Sequence, residues 1–173
     1  MESKVKLLGH PIHPMLIIFP LGLLATAVIF DVIYLVSGNA LWTEMAFYLI
    51  AAGIIGGLLA AVFGLIDWLS LPSSTRAKTI GLWHGAGNVL VVVLFGVSWL
   101  LRLGTPRDPG GLALIFSFVA VVLALVTGWL GGELVDRLGV GVDQGAHLNA
   151  PSSLSSHRAN ENASSTGSRP LAQ

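Results

Sequence analysis

Four long apolar stretches, separated by short polar breaks, make up most of this chain. A helix needs about 20 mostly apolar residues to cross about 30 Å of hydrocarbon, and residues 15–36, 42–69, 80–102 and 111–135 all meet that length. The first is the clearest, since the 22 residues from Met15 to Val36 carry one charge, Asp31. Lys4 and Lys6 ahead of it suggest a secretory signal, but the stretch is too long for a signal core, contains Pro20 and Asp31, and lacks a small-residue cleavage pattern. It is read as a retained spanning helix with Pro14 at its first helical position, where proline's missing N–H is an orphan donor anyway. Pro20 is expected to kink it.

The breaks set the connectivity. Ser37-Gly38-Asn39-Ala40 is short enough to force an antiparallel hairpin, and Pro72-Ser73-Ser74 and the stretch from Pro106 to Pro109 end the later helices. The expected fold is an all-α integral membrane protein: a four-helix up-down transmembrane bundle over residues 1–142, opened by a short His-Pro segment. Residues 143–173 turn to Ser, Asn, Ala and Gln, too polar to bury a core, and are expected to form a disordered tail. Lys4, Lys6, Arg76, Lys78 and Arg137 lie near helix ends on one side, and only Arg102 and Arg107 on the other, which puts both termini in the cytoplasm. Gly53, Gly57 and Ala61, then Gly81 and Gly85, then Gly128 and Gly132 form small-residue stripes that let spanning helices approach closely.

Composition narrows the chemistry. Charged residues are 10% of the chain, against about a quarter in soluble domains, and the mean hydropathy is +0.79. With no cysteine there is no disulfide, thiolate metal site, Cys-ligated cluster or Cys nucleophile in this chain. A net charge of zero without a basic cluster excludes nucleic acid as a partner. The lipid bilayer is the expected surrounding.

Nearly all the chemistry-bearing residues fall at the cytoplasmic end of this topology. His10 and His13 precede helix one, Asp67 ends helix two, His84 and Asn88 share a face near the start of helix three, and Glu133 ends helix four. Ionisable groups at membrane depth are costly and face the bundle interior, a partner or water. Asp67 and Glu133 mark the interface or orient a histidine as acceptors of its ring N–H. The following prolines push His10 and His13 toward extended backbone, which sets their rings about 9 Å apart at about 3.1 Å per residue, too far to chelate one ion; either Ile12 makes a turn that brings them together, or the two have different partners, with His84 a candidate for one. Asp31 stands about 25 Å up helix one, level with Arg102, and an outer ion pair between them is the plain structural expectation. No nucleophile, base and oxyanion-donor grouping is legible, so an enzyme acting alone is not expected.

The motifs Gly9-His10-Pro11-Ile12-His13-Pro14, Phe19-Pro20, Asp31, Gly64-Leu65-Ile66-Asp67-Trp68, His84 with Asn88, and Gly128-Trp129-Leu130-Gly131-Gly132-Glu133-Leu134-Val135 resemble the bacterial membrane family called domain of unknown function 2231. The resemblance covers about residues 6–142 and implies a multi-pass protein of the bacterial inner membrane, without a defined activity. Relatives joined to Rieske-type iron–sulfur domains imply a link to electron transfer. Leu138 stands where the family ending usually has a histidine, which weakens any ligand role carried over.

Two readings remain open. In one, the protein is an accessory or scaffold membrane subunit, pairing with another membrane protein. In the other, it is a redox subunit in which His10 or His13 from the first segment, with His84 from the third, holds a b-type haem or a metal ion, or the same groups line a quinone pocket. A proton path through His84, Asp67 and Glu133 lacks a continuous polar line, since helix three offers only Ser98 between Asn88 and Arg102.

Overall fold

Local signals start and stop the helices. Asn39 and Thr75 lie in extended backbone, and their side-chain oxygens accept from Leu41 N at 3.0 Å and Lys78 N at 3.2 Å, each filling an orphan donor of a first turn. Gly38 ends the preceding helix in the left-handed region at φ 67°, its N–H on Tyr34 O at 2.8 Å, where a side chain would be strained. In the computed structural model, which describes residues 1–155, the elements run β1 (Lys6–Leu7), β2 (His10–Pro11), α1 (Ile12–Leu16), α2 (Ile18–Ser37), α3 (Ala40–Leu69), α4 (Arg76–Leu101), α5 (Gly111–Gly132) and a π-helical turn (Glu133–Arg137). Among the described residues four segments, with α1 and α2 counted as one, are long and apolar enough to cross a membrane. They alternate in direction. We call the end that carries the N terminus proximal and the other distal.

The first segment differs from its expected form. It begins at Ile12 and breaks at Ile17, one turn ahead of Pro20. Proline has no N–H for the carbonyl four residues back and its ring crowds that carbonyl, so the regular ladder yields there. His13 is also not extended. It is the second residue of α1, while His10 sits in β2 opposite Leu7. Pro14 is therefore the third helical residue, still inside the first turn where no N–H is missed. The pre-proline preference of His13 is overridden by the ring's own anchor on α3, described below.

The core is narrow because lipid, not water, covers the outside. Leu24, Ala27, Ile50, Val91, Phe95 and Ala120 are buried between the segments, while Ile29, Leu58, Val89 and Leu125 point outward. Small residues set the spacing: a Cβ on Gly53 would lie 2.6 Å from the Leu24 side chain, and one on Gly56 2.9 Å from Phe19. Without a hydrophobic drive between helices in lipid, such close approach supplies the dispersion contact that holds them. At 30 residues, α3 is about 45 Å long by helical rise and outruns the hydrocarbon.

The proximal end is closed by the N-terminal strap. The Met1 ammonium donates to Gly139 O at 2.8 Å, Gly141 N returns a bond to Met1 O, and Lys6 pairs with Glu2 at 2.6 Å and Asp143 at 3.7 Å. Hydrogen bonding to Lys6 holds the Glu2 carboxyl below its ordinary range, and the same bond holds the Lys6 ammonium above its own. Residues 143–155 run as turns over this strap, and the rest of the expected disordered tail, residues 156–173, lies outside the described residues.

Candidate functional site

Two groups of polar side chains are built into the bundle, one near each end. At the proximal end, His13 Nδ1 is 2.8 Å from Ala60 O and His84 Nδ1 is 2.8 Å from Thr127 O. A carbonyl can only accept, so each ring carries a proton on Nδ1. These carbonyls already serve their own helices, and what exposes them is the residue four positions on, whose side chain leans back over the preceding turn. In both cases that residue is glycine. A Cβ on Gly64 would lie 2.8 Å from His13 Cε1, and one on Gly131 3.0 Å from His84 Cε1. Each imidazole thus fills a glycine notch and reaches the carbonyl beneath it.

Asn88 and Thr127 complete the His84 group. Asn88 Nδ2 donates to His84 O at 2.8 Å and stands 3.3 Å from His84 Nε2, while Thr127 Oγ1 donates to Ala124 O at 3.0 Å or to Asn88 Oδ1 at 3.1 Å. The two carboxylates expected to orient these rings do other work. Asp67 accepts from Ser3 Oγ at 2.8 Å and Lys4 N at 2.9 Å, and Glu133 pairs with Arg76 at 2.6 Å. Main-chain carbonyls take the orienting role instead. His10 is exposed on the strap, 3.2 Å from Ser153 Oγ, and is not brought to His13 or His84. Leu138 ends the π-helical turn.

At the distal end, Arg102 and Asp31 meet as a two-pronged ion pair, both bonds 2.7 Å, with neither side chain exposed. The remaining donors are also used: Nη1 reaches Thr43 Oγ1 at 3.2 Å, Nη2 reaches Ser117 Oγ at 3.1 Å, and Nε reaches Ser98 Oγ at 3.3 Å. All five guanidinium N–H groups therefore have partners, the condition under which a buried pair of this kind is tolerated. One proton arrangement satisfies the hydroxyls: Ser117 donates to Ser98 at 2.7 Å, and Ser98 donates to Ala113 O at 2.7 Å. The pair was expected at the outer surface. It is enclosed because α3 and α5 bring Thr43 and Ser117 over it.

Among the described residues, no group of three or more His, Asp or Glu side chains converges as a metal site. A b-type haem also fits poorly. It would need both Nε2 atoms turned to a shared space wide enough for the macrocycle, whereas each ring is wedged against its own glycine and Leu24 and Phe95 fill the core above. Two open surface grooves lie among the described residues, one between α4 and α5 lined by residues such as Trp83, Gly87 and Thr127, and one along Trp129 to Arg137. No histidine lines either.

The profile of a family of predicted membrane proteins, domain of unknown function 2231, matches residues 9–144. The chain belongs to that family. The match spans the His-Pro segment, all four spanning segments and the π-helical turn. No curated protein and no solved structure matches the chain.

Thr43, Ser98, Ser117 and Thr127 complete the two groups, and sequence reasoning gave none of them a site role. Ser98 carried a signal, standing one helical turn before Arg102. Thr43 and Ser117 carried none, because a hydroxyl in a spanning helix commonly bonds its own backbone.

Proposed function

We propose that this family member is a non-catalytic accessory or scaffold subunit of the bacterial inner membrane, with both termini in the cytoplasm, that pairs with another membrane protein. The observation that carries this reading is the closed state of its interior chemistry. The guanidinium of Arg102 spends every donor inside the bundle, and both half-buried imidazoles anchor one helix to another. These groups fasten helices together. The outside offers a face for a partner: a Cβ added to Gly128 or Gly132 on α5 would meet no neighbouring segment within 4 Å, and Leu125 and Trp129 stand exposed beside them. Small residues four apart on a spanning helix let a second helix approach closely. The five-to-two excess of Lys and Arg near the proximal helix ends supports the orientation.

The chain lacks cysteine, so Leu125→Cys gives a single crosslinking position. In native membranes it is expected to yield one discrete adduct with another membrane polypeptide, which disappears when Gly128 and Gly132 are both changed to Leu. No adduct, or an adduct indifferent to those changes, removes the partner face. The redox reading is tested on the purified protein by its visible spectrum before and after dithionite. A reducible haem spectrum that disappears in His84→Ala would replace the scaffold reading.

A further inference from the structure

The fastenings at the two ends repeat. His13 and Asp31 are 18 residues apart in the first segment, and His84 and Arg102 are 18 apart in the third. Shifting the first segment by 71 positions therefore lays His13 on His84 and Asp31 on Arg102, and it also lays buried Leu24 on buried Phe95 and buried Ala27 on buried Ser98. Shifting the second segment by 67 lays Ala46 on Ala113, Ile50 on Ser117, Gly53 on Ala120 and Ala60 on Thr127, all buried, and Gly64 on Gly131. The interactions follow the residues. His13 on Ala60 O over Gly64 becomes His84 on Thr127 O over Gly131.

We infer that the bundle is two copies of one helical hairpin, residues 12–69 and 83–136, and that the surface between them is a recognition interface in which a carboxylate on one hairpin selects a partner hairpin with a guanidinium at the equivalent depth. Both hairpins begin and end at the proximal end, so the operation relating them is a twofold rotation along the bundle, a parallel rather than an inverted repeat. Equivalent positions that touch each other lie on that rotation axis, and Asp31 touches Arg102. Identical residues there would bring two like charges together in a dry interior, which is strongly unfavourable. Opposite charges make the unlike pairing the favourable one and disfavour two first hairpins, or two second hairpins, joining each other. The hydroxyls are unequal in the same sense: Ser98 and Ser117 serve the arginine, and their counterparts in the first hairpin are Ala27 and Ile50. The partner this surface fits is the second hairpin of the same chain.

A protease site placed between Pro72 and Ser73 in the full chain, cut after purification in mild detergent, tests this. The cut wild type is expected to elute as one species. Asp31→Arg or Arg102→Asp alone sets like charges on the axis and should raise the dissociated fraction about tenfold or more. Mixing the cut Asp31→Arg and Arg102→Asp proteins supplies halves of opposite charge again, and a species containing both altered halves should form. Halves that hold together equally well in the single variants, or altered halves that never join, overturn the inference. Should either charge-reversed chain fail to fold, Asp31→Asn and Arg102→Gln serve instead, and an unchanged dissociated fraction in both is fatal to it. The reordered chain, residues 73–173 followed by 1–72, is expected to elute at the wild-type size; elution only as aggregate means that the hairpins are not equivalent units.

Discussion

The proximal and distal ends fasten the same four segments by different chemistry. At the proximal end each imidazole clasp is internal to a hairpin, with a ring N–H on a main-chain carbonyl: His13 joins α1 to α3, and His84 joins α4 to α5. At the distal end the fastening runs between hairpins, with Asp31 of α2 on Arg102 at the end of α4. A neutral hydrogen bond is cheap to bury and cheap to lose, whereas a buried ion pair is tolerated only while both partners and their hydrogen bonds are present. The hairpins should therefore tolerate damage at their own clasps far better than damage at the junction between them.

Removing one member of the pair gives the largest expected effect. Asp31→Ala leaves a buried guanidinium without its counter-charge and should destabilise the bundle by about 3–5 kcal/mol, read as a shift in denaturant midpoint in detergent. Replacing both, as Asp31→Leu with Arg102→Met, should recover most of that loss. A double variant as weak as the single one would mean that the pair is needed for more than neutralising its own charge.

The glycine notches come next. Gly64→Val and Gly131→Val force the imidazole off its carbonyl and should each cost about 1–3 kcal/mol as overpacking. Alanine sharpens the comparison, because Gly→Ala in a helix gains about 1 kcal/mol in propensity. The nearest ring atom would lie 3.0 Å from the new Cβ at position 131 and 2.8 Å at position 64, so Gly131→Ala should be near neutral and Gly64→Ala a net loss. Equal melting shifts for the two would contradict that ordering.

Removing an imidazole bond costs less. His13→Phe should lose about 0.6–1.7 kcal/mol, the range for one hydrogen bond between spanning helices, and a loss as large as that of Asp31→Ala would erase the contrast between the two ends. The smallest effect belongs to the strap. Glu2 has a lowered carboxyl, so its contribution is present above the ordinary glutamate range and is lost as pH falls through its own lower value. Lys6 is raised, so its contribution is present below the ordinary lysine range and lost as pH rises through its higher value. Hydrogen-exchange protection at residues 2–11, taken relative to the intrinsic rate at each pH, should be largest between those limits, and Lys6→Met should flatten the profile. A profile unchanged by Lys6→Met would place the anchor elsewhere in the strap.

How much of this was legible before folding depends on the range of each interaction. The breaks at Gly38-Asn39 and Pro72 act within a few residues, and they placed the helices to within a turn or so. Asp31 and Arg102 could be paired because two charges at one depth in lipid have few other partners. The histidines were harder. A preference local to the chain put His13 in extended backbone, yet a carbonyl 47 residues away, exposed by Gly64, holds it in a helix. The repeat lay in the sequence as two 18-residue spacings, but with only His13 and His84, Ala46 and Ala113, and Gly64 and Gly131 identical among the matched buried and clasp positions it shows itself once the buried faces are known.

Segment number, segment length and the lipid solvent were determined by the sequence alone, since they follow from the apolar run lengths and the scarcity of charge. Tertiary structure alone decided which carbonyls the imidazoles reach, that Asp67 and Glu133 bind Ser3 and Arg76 instead, and that three hydroxyls enclose the ion pair. The physical reason is that in a membrane the apolar exterior is nearly uniform. Composition can place a helix in the bilayer, but the rotation and partner of its few polar groups are set by contacts between segments, where a missing Cβ or a hydroxyl one turn away decides the outcome.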